Sequence, residues 1–244
     1  MILTIDVGNT RIKCAVFEQN SIIELIVLSN DNCVENIKNV LKKYPEISNL
    51  IVSSVGKISL SDFLSLEKII KIDFITNETP LPFTNLYATP KTLGIDRMVL
   101  AAGAVLKFPQ QNRLIIDAGT CITYDYINCE NQYLGGAISP GFRLRYQSLN
   151  NYTAKLPLLT LENQIEFIGN STEQSIHSGV VNGLVNEIKG FIEKFESQNS
   201  NFIIILTGGD ADFLAKRLKN TIFANSNFLI ESLNHIYQYN NQND

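Results

Sequence analysis

The run Asp6-Val7-Gly8-Asn9-Thr10-Arg11-Ile12-Lys13 joins a carboxylate, a glycine, two polar side chains and two cations over eight residues. Gly8 lacks a Cβ, so a bulky anion can approach the backbone closely. Neighbouring N–H groups, with the Asn9 and Thr10 side chains, can donate to phosphate oxygens. Arg11 and Lys13 supply positive charge. Asp6 would repel a bare phosphate, so it makes sense only if a cation sits between the two. Asp117-Ala118-Gly119-Thr120 repeats the logic in the second half of the chain. One copy of such a turn is more often a hairpin with a solvated aspartate. Two copies, each after an apolar strand heading its half, reverse that weighting and point to phosphate binding.

Other phosphate motifs are missing. There is no G-x-x-x-x-G-K-[ST], and no G-x-G-x-x-G follows the first strand. A kinase Gly-rich loop with H-R-D and D-F-G is also absent. With only His177 and His235 in the chain, a histidine metal site or a Ser-His-Asp triad is nearly excluded. Both histidines read as structural. Cys14, Cys33, Cys121 and Cys129 show no metal spacing and read as reduced thiols, which fits a cytoplasmic protein.

These turns need elements to hold them. Strands are expected at Ile2–Asp6, Ile12–Phe17 and Ile22–Leu28, then a helix over Val34–Tyr44 with Ile37, Val40 and Leu41 on one face. A strand at Leu50–Val55, a helix around Ser61–Ile70 and a strand at Ile72–Thr76 follow. Pro80, Pro82 and Pro90 keep Glu78–Gly94 out of regular structure. A helix over Ile95–Phe108 closes the first half. Beyond Pro109 the pattern restarts with strands at Leu114–Asp117, Cys121–Ile127 and Tyr133–Ile138. Helices are expected over Arg143–Tyr152 and Glu173–Phe195, with a strand at Phe202–Leu206 running into Thr207-Gly208-Gly209-Asp210. A helix, a short strand at Ile222–Ala224 and a helix at Phe228–Tyr237 end the chain. Two halves that open alike imply a duplicated α/β domain, divided as 1–111 and 112–244.

At 244 residues, with 45% apolar and 18% charged residues, the chain can bury a core in each half. The net charge of −4 argues against nucleic acid as a partner. The N-terminus has no basic start before its short apolar run, so no secretory signal is expected, and no segment is apolar enough to span a membrane.

The residues resemble a family. Paired Asp-x-Gly-x-Thr-like turns and a late Gly-Gly resemble the acetate/sugar kinase, heat-shock ATPase and actin superfamily. Within it, the chain is similar to type III pantothenate kinase. Tyr87-Ala88-Thr89-Pro90 with Leu93-Gly94-Ile95-Asp96-Arg97 resembles that family's pantothenate segment. Gly135-Gly136-Ala137-Ile138-Ser139-Pro140-Gly141, Thr153-Ala154-Lys155-Leu156-Pro157 and Gly169-Asn170-Ser171-Thr172 before Ser178-Gly179 resemble its later signatures. The resemblance implies an α/β fold of two ribonuclease-H-like (actin/sugar-kinase-like) domains, with mixed sheets flanked by helices and the site in the interdomain cleft.

It further implies transfer of the ATP γ-phosphoryl group to pantothenate, the first step of coenzyme A synthesis. Asp6, Val7, Gly8, Asn9, Thr10, Arg11, Ile12, Lys13 and Thr120 would surround ATP. Asp96 would be the catalytic base. Tyr87, Gly94, Ile95, Asp96, Arg97 and Thr172 would bind pantothenate. Asp117 would hold a monovalent cation, K+ or NH4+, while Mg2+ would enter with ATP, and the protein would be a homodimer.

Taken singly, several of these residues have plainer roles. Asp96-Arg97 also suits a helix start, Tyr87 suits packing, and Thr172 suits a helix N-cap. Thr207–Asp210 suits a nucleotide base approaching the backbone and equally an ordinary strand-to-helix turn. Lys42-Lys43 and Lys216-Arg217 read as solvated pairs. Two rivals remain: another kinase or phosphohydrolase of the superfamily, and a non-catalytic regulator that kept the fold.

Overall fold

Period-two alternation along the first strands decides which side chains meet. The computed structural model describes residues 1–8, 12–28, 32–54, 63, 65–218 and 222–242. Its elements, in chain order, are β1 (Ile2–Val7), β2 (Ile12–Glu18), β3 (Ser21–Leu28), α1 (Cys33–Lys43), β4 (Asn49–Ser54), β5 (Lys71–Phe74) and β6 (Thr84–Asn85). Then come α2 (Ile95–Lys107), β7 (Asn112–Ala118), β8 (Cys121–Ile127), β9 (Gln132–Pro140), α3 (Phe142–Asn151) and α4 (Thr172–Glu196). The chain ends with β10 (Phe202–Thr207), α5 (Ala211–Ala215), β11 (Phe223–Ala224) and α6 (Phe228–Gln242).

The chain forms two compact units. The first holds Met1–Pro109, Asn131–Tyr133 and Asn227–Asp244; the second holds Gln110–Glu130 and Leu134–Ser226. The units are therefore not the continuous blocks 1–111 and 112–244, because α6 packs with the first. The reason is its apolar stripe. Ile230, Leu233 and Ile236 are fully buried with Ile2, Phe17, Ile51, Val99 and Ala102. Each such side chain contributes about 2 kcal/mol of burial. Gly103 on α2 leaves the space that Ser232 on α6 fills. Lys107 and Glu231 pair at 3.0 Å beside that contact.

The first unit's sheet runs β3-β2-β1-β4-β5. β1 is antiparallel to β2 and parallel to β4. Leu3, Ile5 and Val7 point to one face, with Ile12, Cys14, Val16, Leu50 and Val52, and meet Ile37 and Val40 of α1. Alternation sends Ile2, Thr4 and Asp6 to the other face, where α2 and α6 lie. β6 pairs in parallel with Gln132–Tyr133 of this unit, a short strand inside the passage expected to be irregular. The expected helix over Ser61–Ile70 falls partly outside the described residues, and residues 65–69 form turns rather than helix.

In the second unit the strand order is β11-β10-β7-β8-β9, with β7 parallel to β10 and antiparallel to β8. Leu114, Ile116, Ala118, Ile122, Tyr124, Ile204 and Leu206 form one core with α3, α4 and α5. Both turns read from the sequence thus lie at the ends of buried strands.

Candidate active site

In the first unit, register brings three polar side chains to one spot. Asp6 stands opposite Lys13 on β2 and Ser53 on β4. All three project from the face that carries Ile51 and Phe17. Ser53 donates to Asp6 Oδ1 at 3.0 Å, and Lys13 Nζ donates to Asn227 Oδ1 at 3.2 Å. Burial raises the Asp6 carboxyl from the ordinary 3.8 to about 6; the Ser53 hydrogen bond opposes the rise, the Asp96 charge adds to it and Lys13 opposes it. Asp96 is thus within electrostatic reach of Asp6, which sequence spacing alone did not reveal.

Asp96 lies in the first turn of α2. Its Oδ1 accepts the Arg97 N–H at 2.8 Å. Gly94, the residue before the helix, has no room for a side chain. A Cβ there would stand 2.5 Å from Asp96 Oδ1. Arg97 is buried, with its guanidinium 5.8 Å from the Tyr87 ring centroid, and Tyr87 meets Tyr133 edge-on at 6.1 Å. Ile95 packs against the core between α2 and α6.

Val7 and Ile12 turn their side chains into the core, so only their backbone groups face a ligand. Gly8 is half-buried at the end of β1. Asn9, Thr10 and Arg11 lie outside the described residues.

The second unit builds its turn from three loops. Gly119 N–H donates to Cys121 O, Gly141 N–H to Thr120 O at 3.1 Å, and Asp210 N–H to Ala118 O at 3.0 Å. A Cβ on Gly141 would overlap the carbonyls of Gly119 and Thr120. Gly208, at φ +93°, faces Ala118 O and Asp117 Oδ1 so closely that no side chain fits. Thr207–Asp210 is therefore more than a plain strand-to-helix turn: it abuts Asp117. The converging carboxylate and carbonyl oxygens are donors of the type a hard cation takes. Among the described residues there is no cluster of three or more His, Cys, Asp or Glu side chains suited to a metal ion.

Thr172 opens α4, but the cap is Ser171, whose Oγ accepts from Gln174 N. Both line a cavity of about 950 Å³, with Arg145, Leu156, Ile176 and Gly179 among its other walls. Arg217, read as solvated, instead stacks on Phe213 at 3.5 Å and donates to Asn163 O at 2.5 Å, pinning the chain before α4. Lys43 pairs with Glu24 at 2.7 Å. His177 bonds Tyr146 at 2.8 Å in a structural role. All four cysteines are free thiols. Sequence reasoning missed Ser53, Asn227 and Arg145. The one signal for Ser53 was a polar pair ending an otherwise apolar strand.

Two mixed sheets flanked by helices, each unit opening on an antiparallel strand pair whose first strand carries the aspartate of an Asp-x-Gly sequence, define a two-domain ribonuclease-H-like protein of the actin and sugar-kinase type. A glucokinase from an Antarctic psychrotroph shares this fold at TM-score 0.55 and 12% identity, over 98% of both chains. A conserved Campylobacter jejuni protein, provisionally named a Baf-family transcriptional activator, matches at TM-score 0.65 and 21% identity, over 99% of this chain and 100% of that one. At those identities the likeness concerns the fold alone. The family model for type III pantothenate kinase matches residues 2–194. A type III pantothenate kinase of Flavobacterium johnsoniae is 64% identical over 100% of both chains, and one of Bacteroides fragilis is 38% identical over 99% of both. The chain belongs to the type III pantothenate kinase family. Among the described residues, no helix is long and apolar enough to cross a membrane.

Proposed function

We propose that the protein transfers the γ-phosphoryl group of ATP to the terminal hydroxyl of pantothenate, the first step of coenzyme A synthesis. The observation that carries this reading is the site in the first unit: Asp6, Ser53 and Lys13 in register, with Asp96 close enough to perturb Asp6. Phosphoryl transfer passes through a loose transition state, so the protein mainly positions groups and neutralises charge. Asp96 orients the pantothenate hydroxyl and accepts its proton late. The bond from Arg97 N–H holds one carboxylate oxygen, leaving the other to meet the hydroxyl. Arg97, with its guanidinium 5.8 Å from the Tyr87 ring centroid, offers a forked donor to the pantothenate carboxylate. Gly94 and Ile95 complete that wall, and Thr172 is the further pantothenate contact that membership of the family implies.

On the nucleotide side, Lys13 and the backbone from Asp6 to Ile12 receive phosphate oxygens, with Asn9, Thr10 and Arg11 adding donors. Thr120 is the further ATP contact that membership of the family implies. Mg2+ bound to ATP would neutralise phosphate charge. Asp117 is the residue that would hold a monovalent cation, K+ or NH4+, which would supply fixed positive charge. We assign the protein to the cytoplasm and to a homodimer. Exposed Phe167 and Ile168, at 76% and 80%, support assembly through the second unit.

The test is ADP release by the purified protein with MgATP, offered pantothenate, glucose or N-acetylmannosamine in potassium or sodium buffer. Turnover requiring pantothenate, and potassium rather than sodium, is the expected result. Turnover with a sugar alone, or none with pantothenate, would overturn the reading.

A further inference from the structure

Arg145, one turn into α3, sits between the cavity wall and the second aspartate–glycine turn. Its Nε donates to Pro140 O at 2.8 Å, and one terminal nitrogen donates to Ser139 Oγ at 3.0 Å. The same nitrogen pairs with Glu187 Oε2 at 2.5 Å, while Tyr124 donates to the other Glu187 oxygen at 2.9 Å. Burial works against ionisation of Glu187, but hydrogen bonds from Arg145, Ser139 and Tyr124 outweigh it and lower its pKa. Burial and the Glu187 charge push the Tyr124 phenol far up, so it remains a donor. Arg145 is thus locked from behind while its fork grips Ser139 and Pro140. The next residue is Gly141, whose N–H holds Thr120 O and whose bare Cα lies against the Gly119 and Thr120 carbonyls.

We propose that Arg145 is a positioning residue for the phosphate-binding turn Asp117–Thr120, acting through Ser139–Gly141. This rests on the reading that the turn receives ATP phosphates. A simple tie between α3 and α4 would need only a positive charge opposite Glu187, which lysine supplies. The positioning role needs the planar fork, because a lysine nitrogen cannot reach Pro140 O, Ser139 and Glu187 with the same geometry.

The experiment compares wild type, Arg145→Lys, Ser139→Ala and Thr120→Val. It measures ATP dissociation constants without pantothenate, KM for both substrates, and thermal unfolding. Arg145→Lys is expected to weaken ATP binding about tenfold and leave the pantothenate KM within about twofold. Ser139→Ala, which removes that hydroxyl's contacts with Arg145 and Glu187 but leaves the Arg145–Glu187 pair joining α3 and α4, is expected to weaken ATP binding about threefold. Wild-type ATP affinity in both variants overturns the proposal, as does a loss that falls on pantothenate instead. Thr120→Val binding ATP like wild type would refute the assignment of the turn itself, and the inference with it.

Discussion

Replacing Ser53 with alanine removes the hydroxyl that donates to Asp6 Oδ1 at 3.0 Å. Ser53 is 1% exposed, so water has little access to take its place. A hydrogen bond to a charged group contributes about 1.5–3 kcal/mol, and about 1.4 kcal/mol corresponds to one pKa unit. The Asp6 carboxyl, already at about 6, should therefore rise by about one to two units. At pH 7 it would drop from about nine-tenths ionised to half or less. Because kcat/KM reports groups of the free enzyme, its acid limb for ATP should move up by the same interval. The assay is kcat/KM for MgATP at saturating pantothenate between about pH 5.5 and 9. Ser53→Thr, which keeps the hydroxyl, should leave the limb in place. A limb for Ser53→Ala that overlays the wild-type one would refute the claim that Ser53 keeps Asp6 ionised.

Asp96→Asn should lower kcat by about 10²–10⁴-fold with ATP binding intact, measured by steady-state kinetics and calorimetry; near-wild-type turnover would remove Asp96 as the base. Gly94→Ala puts a methyl 2.5 Å from Asp96 Oδ1 and displaces that carboxylate, so kcat should fall about 10²-fold while the KM for ATP holds; unchanged kcat would show that the carboxylate moves freely. Asp6→Asn tests the stability cost of the site. With the folded pKa near 6 and the ordinary value 3.8, the folded state holds the proton more tightly, so stability is lost as pH rises through that window. Above pH 6 the loss reaches about 3 kcal/mol at most. The variant should therefore melt several degrees higher at pH 8 and like wild type at pH 3.5; equal differences at both pH values would count against the burial argument.

Much of the fold was legible because strands and helices leave local periodic marks. The Ile2–Val7 and Ile12–Glu18 strands, α2 and α4 follow from apolar spacing and turn residues near one another in the chain. The residues from 65 to 69 were misread because Leu66, Ile69 and Ile70 mimic a helical stripe while folding as turns. Arg217 was misread because its partners, Phe213 and Asn163, include one 54 residues away.

The sequence by itself determined the chemistry available: two aspartate–glycine turns, the Gly94–Arg97 segment, and too few histidines for a triad. It also determined the family, since those motifs are contiguous. Only the tertiary structure decided that α6 belongs with the first unit, that Ser53 grips Asp6, and that Gly208 and Gly141 close on the second turn. Those contacts join residues that are 47, 91 and 22 positions apart, counting Asp6 to Ser53, Asp117 to Gly208 and Gly119 to Gly141. Strand register and bare glycine surfaces set them, and neither leaves a periodic signal in the chain.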